Sequence, residues 1–397
     1  MTLRWISPLS YSFWGCIFGM FTLLLNLHQA KKFYHDHQIE MTCPTIPQKG
    51  VQKESKPQVL LIGSAYTFGE REWQSRLHAA LSIRGIKASS ALAAKAYDHD
   101  LHLMNLRLWP IIPLGYPSQE LKTYIWFSAI NFLLKPDLVV FTQAMYMSYF
   151  PQAQQAALIS ADDVEPASLF SLLDILMFSS SNPNYCQYYT PTTTQSVLLD
   201  IYPSTGKTSF KPLSFHRLFF CGAFCDRDIR SSQKYKDFYN QLDQLNLISF
   251  YGPKKSWKRF RNYKGMIPFG SDQFEVELQT CGIGLCLHSK RHRETGTPTA
   301  RIFELAAASA LIICDDHPFV RKHFQDNVLY IHTRKDAIDM TAQILRHLAW
   351  IKTHPHEAQE KARKAHAIFK KKFPLEKTVD KLIKAWKSKQ ECHRSAS

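Results

Sequence analysis

Short apolar runs separated by amphipathic segments recur along most of the chain. Residues 58–62 form a largely apolar run that ends at Gly63, and the segment after it has Trp73, Leu77 and Leu81 at helical spacing. Further apolar runs lie at 137–142, 174–179 and 196–200. Such runs indicate strands buried on both faces, and their alternation with amphipathic helices predicts a parallel sheet covered by helices.

The same pattern restarts in the second half of the chain. Five more strands are predicted at 217–222, 247–251, 282–288, 310–314 and 328–331. Helix-like segments lie at about 231–245 and 299–309. We therefore expect an α/β protein in which two Rossmann-like domains face each other across a cleft. In open parallel sheets, ligands bind beyond the carboxyl ends of the strands.

The chain is long for a single hydrophobic core, so several segments are expected. They are an N-terminal membrane anchor at 1–35, a linker at 36–57, a first Rossmann-like domain at 58–205, a second at 206–373 and a basic C-terminal helix at 374–397.

The N-terminal segment is uncharged from Trp5 to Leu27. That stretch is long enough to cross the ~30 Å hydrocarbon core of a bilayer. A cleaved signal peptide is the alternative, although no A-x-A-like cleavage site follows. Lys31 and Lys32 come directly after the span, which predicts a single-pass membrane protein whose main body lies on the cytoplasmic side.

The formal net charge is +16, with basic clusters within 254–264 and 346–394. Such clusters attract anionic partners. For the C-terminal cluster, binding to anionic lipid and an ordinary solvated helix face are both open. Nucleic acid is a weaker alternative, because the clusters lack a helix-turn-helix, zinc-finger or RNP pattern. The nine cysteines contain no C-x-x-C pair, so neither a zinc site nor a disulfide framework is predicted.

The residues best suited to chemistry lie between Leu285 and Tyr330. A strand ends at His288, a polar and basic loop follows, and a helix begins near Thr299 with Arg301 and Glu304 in its first two turns. A helix N-terminus behind a basic loop favours an anion, because its free N–H groups and dipole attract negative charge. Glu304 has a carboxylate that can accept hydrogen bonds from ribose hydroxyls.

This block resembles the donor-binding half of the glycosyl transferases group 1, which have the GT-B fold, and it is closest to the spore-maturation-type subgroup. The resemblance rests on His288, the sequence Arg-Ile-Phe-Glu at 301–304, the small residues at 306–308 and the short strand that ends at Asp315. One departure is Gly296, which stands where the wider group often has a first glutamate. That departure puts a glutamate contact to the donor sugar in question.

The resemblance implies a role for each of the following residues. The catalytic candidates are Glu304, Arg301, His288 and Asp163. The donor-binding candidates are Gly222, Arg227, Tyr251, Gly252, Lys290, Gly296, Thr297, Pro298, Ala300 and Phe303. The candidates on the acceptor side are Gly63, Ser64 and Asp162.

The implied activity is transfer of a sugar, hexosyltransferase-like, from a nucleotide-sugar donor to a glycan, lipid or protein acceptor, with no cofactor and no metal. Two D-x-D triplets, at 98–100 and 226–228, argue weakly for a metal, because so short a pattern arises readily by chance. The alternative is a non-catalytic, membrane-anchored protein that binds a nucleotide sugar or glycan on the same fold.

Overall fold

A computed structural model of the protein describes residues 56–64, 68–93, 135–141, 153–159, 173–179, 197–222, 232–268 and 272–396. Both sheets described below, except for Leu92 and Ala93, belong to one compact unit, Pro57–Ala91 with Leu134–Ser397.

The first sheet has six strands in the order β2-β1-β3-β4-β5-β6. The elements are β1 (Val59–Ser64), α1 (Phe68–Ile83), β2 (Ala88–Ala93), β3 (Leu138–Phe141), β4 (Gln154–Ile159), β5 (Ile175–Phe178) and β6 (Val197–Asp200). The pairs β1–β3, β3–β4, β4–β5 and β5–β6 are parallel. The four residues of β3 are all buried, as the continuous apolar run predicts.

The second sheet also has six strands, in the order β12-β11-β10-β7-β8-β9. Its first elements are β7 (Arg217–Cys221), α2 (Gln233–Gln244), β8 (Ile248–Tyr251), α3 (Lys254–Trp257), β9 (Tyr263–Gly265), α4 (Gln273–Cys281) and β10 (Gly282–Cys286). There follow α5 (Lys290–Thr295), α6 (Ala300–Ala307), β11 (Leu311–Asp315), α7 (Pro318–Phe324), a 3₁₀ turn (Gln325–Asn327) and β12 (Leu329–Ile331). Three long helices close the chain: α8 (Ala337–Thr353), α9 (Pro355–Lys372) and α10 (Leu375–Ala396).

The strands predicted from continuous apolar runs are present, and the fold of two parallel-sheet α/β domains is confirmed. Three strands lack such a run and were not predicted, namely β2, β4 and β9. The segment predicted as a basic loop after β10 contains the short helix α5. The Ser289 side chain accepts a hydrogen bond from the His292 N–H at its start, and Gly296 ends it in the left-handed conformation.

The C-terminal helix α10 is amphipathic and returns to the first sheet. Its side chains Leu375, Val379, Leu382 and Trp386 are buried in one cluster with Trp73 of α1. Its basic side chains therefore lie on the other face, which leaves both interpretations of the basic C-terminus open.

No helix among the described ranges is both long and apolar enough to cross a membrane. The predicted anchor at 1–35 and the linker up to residue 55 lie outside those ranges.

Candidate active site

The strand order of the second sheet reverses between β7 and β10, which are parallel neighbours. The loops that leave these two strands diverge, and in open α/β sheets the resulting crevice is where ligands bind. Gly222 follows β7, and His288 lies two residues after β10. The sequence-predicted residues Gly222 and His288 therefore lie just after the two strands that bound this crevice.

Gly222 and Gly252 lie in close contact at the ends of β7 and β8. Gly252 has a φ of +136°, and a Cβ atom there would lie 2.1 Å from the Gly222 carbonyl oxygen, so no other residue fits. The indole Nε1 of Trp257 donates a hydrogen bond of 2.7 Å to the same oxygen. The two loops are thus held by backbone contacts next to the crevice.

Tyr251, at the end of β8, donates a 2.7 Å hydrogen bond from its hydroxyl to Glu277 Oε2. Burial and the hydrogen bond to Glu277 raise the pKa of Tyr251 well above its usual value. The phenol therefore stays protonated and remains a hydrogen-bond donor near neutral pH.

His288 is fully buried in a charged cluster at the ends of β10 and β11. Its Nδ1 lies 2.7 Å from Asp315 Oδ1, and its N–H donates to the same oxygen at 3.1 Å. Arg293 of α5 donates from Nη1 to Asp315 Oδ2 at 2.9 Å and to the His288 carbonyl at 2.8 Å. The ring of His317 stacks on that of His288 with centroids 3.9 Å apart.

The electrostatics of this Asp315 cluster follow from its burial. Burial by itself would raise the pKa of Asp315, but His288 and Arg293 lower it to about 2. Burial and the neighbouring His288 lower the pKa of His317 to about 3. At neutral pH Asp315 is ionised and His317 is neutral, so the cluster fixes α5 against the end of β11.

Glu304 of α6 forms a second buried cluster, and its side chain is only 3% exposed. Arg301, one turn earlier on the same helix, forms an ion pair and hydrogen bond with its Oε2. Arg76 of α1, the helix that packs on the first sheet, forms a second ion pair, with its Nη2 2.5 Å from Oε1. The structure therefore brings cations from both sheets to one carboxylate.

The charge state of Glu304 is set by these two arginines. Burial alone would raise its pKa, but Arg301 and Arg76 together hold the pKa below its ordinary value. Arg301 also lies over the Phe274 ring, 4.7 Å from its centroid. An ionised carboxylate with acceptor oxygens and two adjacent guanidinium groups can bind hydroxyls and an anion side by side.

The other donor-binding candidates differ in their burial, and some are exposed while others are buried. Lys290 is exposed and lies 3.6 Å from Glu294. Gly296 forms the turn after α5, while Thr297 is buried and accepts a hydrogen bond from the Thr295 hydroxyl. Pro298 is buried as well, and Ala300 is the first residue of α6.

Phe303 lies in an aromatic core. Its ring packs against Tyr202, Phe319 and Phe373. It is fully buried there, so its contribution to the site is to anchor α6 rather than to touch a ligand.

Several sequence-predicted residues cannot be compared with this geometry. Asp162, Asp163 and Arg227 lie outside the described residues. Gly63 and Ser64 end β1, at the carboxyl end of a central strand of the first sheet. Their roles stay predictions.

Sequence reasoning assigned no role to Arg76, Asp315 or His317 in the site. Asp315 had a signal, because an acid directly after an apolar strand lies at the ligand-binding edge of the sheet. Arg76 had none, because its partner Glu304 is far away in the sequence and belongs to another sheet.

Cys286, His288 and Cys314 form a group whose ligand atoms lie within 4.8 Å of one another. Burial and the adjacent Cys286 raise the pKa of the Cys314 thiol, so it is protonated in this arrangement. The prediction that the site needs no metal stays a prediction, tested by chelation below.

Comparisons with known proteins agree with this architecture. Residues 231–384 match a family model described as glycosyl transferase-like. No curated protein matches the chain. The family-model match, together with the solved structures described next, confirms the predicted resemblance to GT-B glycosyltransferases. The predicted resemblance to the spore-maturation subgroup is not confirmed.

Three solved structures show the same fold. A glycosyltransferase from Rickettsia africae ESF-5 is 12% identical with a TM-score of 0.54, over 84% of this chain and 99% of its own. The sucrose-phosphate synthase of Thermosynechococcus elongatus is 12% identical with a TM-score of 0.51, over 86% and 100%. A putative UDP-N-acetylglucosamine 2-epimerase of Listeria monocytogenes is 11% identical with a TM-score of 0.51, over 85% and 97%.

Proposed function

We propose that the protein transfers a sugar from a nucleotide-sugar donor to an acceptor. The observation that supports this proposal is the buried, ionised Glu304, which lies on the second helix after the switch-point strand β10 between arginines of both sheets. In this mechanism Glu304 accepts hydrogen bonds from the donor ribose. Arg301 and Arg76 stabilise the negative charge that develops on the leaving diphosphate.

The arginine pair gives a reason for the two-domain arrangement. Donor binding places a diphosphate near the crevice and offers both guanidinium groups a second anionic partner. An acceptor bound to the first sheet is then close to the reacting carbon, and water is excluded from the donor while it is bound. Gly63 and Ser64, at the end of β1, remain the acceptor-side candidates.

The test is a thermal-shift screen of the chain against UDP-, GDP-, ADP-, CMP- and dTDP-sugars, followed by product analysis. A ligand at a hundred times its Kd stabilises the folded state by about 2.7 kcal/mol. We expect one nucleotide class to stabilise the protein and its sugar to appear on an acceptor. Binding without turnover would support the non-catalytic alternative, and epimerised free sugar would point to the chemistry named for the Listeria neighbour.

The proposed transfer does not use a divalent metal, because Arg301, Arg76 and the N-terminus of α6 supply positive charge at the diphosphate. Excess EDTA should leave most of the activity. Complete loss with EDTA, restored by Mg²⁺ or Mn²⁺, would contradict this part of the mechanism.

We further propose that the 1–35 segment anchors the chain in a membrane, with the enzyme body on the cytoplasmic side, and that the basic face of α10 contacts anionic lipid. The support is the uncharged stretch from Trp5 to Leu27 and the exposed basic side chains Lys377 and Lys384. The chain should need detergent for extraction. Recovery of uncleaved protein in the aqueous fraction would contradict the anchor.

A further inference from the structure

A cavity of about 720 Å³ opens beside the crevice, at the carboxyl ends of β11 and β12. Asp316 follows β11, the segment 332–335 follows β12, and α8 forms one wall. The lining residues are Arg293, Asp316, His332, Thr333, Arg334, Lys335, Asp339, Gln343 and Arg346. The cavity is distinct from the Glu304 cluster, with which it shares no residue.

The lining of the cavity carries more positive than negative charge. It contains three arginines and a lysine, with His332 in addition, against the two acids Asp316 and Asp339. Charges of one sign that line a concave surface reinforce each other's field. The excess of positive charge therefore favours an anionic occupant.

Both acids already have partners. Asp316 Oδ1 accepts a 2.7 Å hydrogen bond from Arg321 Nε, outside the cavity lining. Asp339 Oδ2 accepts one of 2.8 Å from Gln343, and its Oδ1 lies 3.8 Å from Lys335. These contacts reduce the capacity of the acids to neutralise the arginines.

The positive charge of two of the arginines is not offset by an ion pair among the described residues. Within the described part of the chain, neither Arg334 nor Arg346 forms an ion pair. Arg293 is held differently, since its guanidinium bridges Asp315 and the His288 carbonyl at the inner end of the cavity. Arg334 and Arg346 are therefore the side chains available to a ligand.

The walls are held by partly buried hydrogen bonds. Gln343 accepts from the His332 N–H at 2.8 Å and donates to the His332 carbonyl at 2.9 Å, so both backbone groups of that residue are satisfied. Lys234 of α2 donates to the Thr333 carbonyl at 2.7 Å, and His347 Nε2 lies 2.8 Å from the Tyr330 carbonyl. The segment that presents Arg334 is thus held before any ligand arrives, which lowers the entropic cost of binding.

We propose that this cavity binds a phosphate group, and that this phosphate site is separate from the donor diphosphate site at the crevice between β7 and β10. Two available guanidinium groups match the several oxygens and double charge of a phosphate monoester, each able to donate two parallel hydrogen bonds. The concave shape and fixed walls suit a small ligand.

The identity of the molecule that carries the phosphate group rests on the proposed function. The outer strand β12 is two strands from β10, and neighbouring strands are about 4.8 Å apart. The cavity therefore lies roughly 10 Å from the crevice, about the length of one sugar residue plus its linkage. A phosphorylated sugar acceptor is the substrate class that this spacing favours, with its phosphate in this cavity and its sugar extending from the crevice toward the first sheet.

The binding test uses inorganic phosphate as the probe, measured by isothermal titration at constant ionic strength, with chloride as the reference anion. Arg334→Gln and Arg346→Gln should each weaken phosphate binding about tenfold. Lys352→Gln, an exposed charge at the far end of the same helix α8, is the matched control and should bind as the parent does. Melting temperatures without phosphate check that each variant is folded.

Phosphate binding no stronger than chloride binding, or folded variants with unchanged affinity, would overturn the proposal. So would competition between inorganic phosphate and the nucleotide for one site, because the cavity would then be part of the donor site. A preference for glucose 6-phosphate over glucose as ligand, lost in Arg346→Gln, supports a phosphorylated sugar. If no nucleotide sugar binds while phosphate still does, the proposed function fails and the phosphate site stands.

Discussion

The two buried carboxylates of the second sheet, Asp315 and Glu304, are built differently. Asp315 is bound by His288 and Arg293, which both belong to its own sheet and the short helix beside it. Glu304 is bound by Arg301 from its own helix and by Arg76 from the first sheet. A carboxylate held only within one domain mainly stabilises that domain, whereas one shared between two sheets can change partners when a ligand binds between them.

The largest effect should come from Asp315→Asn. Removing one partner of a buried charge cluster leaves the others uncompensated, so we expect a loss of about 3–5 kcal/mol in the free energy of unfolding. Denaturant unfolding measures this loss. Asp316→Asn, an exposed neighbour, is the control. A change below about 1 kcal/mol for Asp315→Asn would contradict a structural role.

Lowering the pH should also weaken the Asp315 cluster. His317 has a pKa of about 3 in the folded protein against 6.5 for the free side chain, so the unfolded state binds the proton first. The stabilisation is complete above about pH 6.5 and declines as the pH falls toward 3. The loss between pH 7 and 5 is about 2 kcal/mol.

The stability lost through His317 can be separated from the stability contributed by Asp315. The Asp315 contribution is lost only at lower pH, as the pH falls from the ordinary carboxyl range toward the folded pKa of Asp315, about 2. His317→Asn keeps a side-chain acceptor for the Phe319 N–H and should reduce the stability lost between pH 7 and 5 by about 2 kcal/mol. His356→Gln, at an exposed histidine, should leave it unchanged. An unchanged slope in His317→Asn would refute the assignment.

At the second carboxylate the expected effect is on binding. Glu304→Gln keeps the shape but removes the charge, and nucleotide affinity should fall by roughly 1–3 kcal/mol, the value of a charged hydrogen bond. Calorimetric titration of the nucleotide found in the screen measures it. Unchanged affinity and turnover would remove Glu304 from the site.

The smallest expected effect is the energetic coupling between Arg76 and Glu304 in nucleotide binding. A double-mutant cycle of Arg76→Ala with Glu304→Gln should give a coupling energy of about 1 kcal/mol in nucleotide binding. Arg84→Ala is the matched control, because Arg84 directly follows the last residue of α1 and forms an exposed ion pair with Asp380. Coupling in the free energy of unfolding alone, with none in binding, would show that the Arg76 contact is only structural.

Much of the fold could be predicted from the sequence because its central strands are continuous apolar runs. Residues 311–315, for example, are all buried in an interior strand of the second sheet, and their largely apolar run identifies a parallel strand. The strands β2 and β4 have the sequences ASSALA and QQAALI, in which small and polar residues interrupt the pattern. They are strands because their neighbours supply the hydrogen bonds, which no local pattern encodes.

The candidate site likewise has features that local sequence predicts and features that depend on tertiary contacts. The Arg-Ile-Phe-Glu helix and its position after a strand could be predicted, because helix signals and apolar runs act over a few residues. The contact of Arg76 with Glu304, the binding of Asp315 by Arg293 and His288, and the cavity lined by Arg334 and Arg346 arise only when the chain is folded. Charges on exposed or half-buried surfaces leave no periodic pattern in the sequence, and their partners are chosen by the packing of two sheets whose residues lie far apart along the chain.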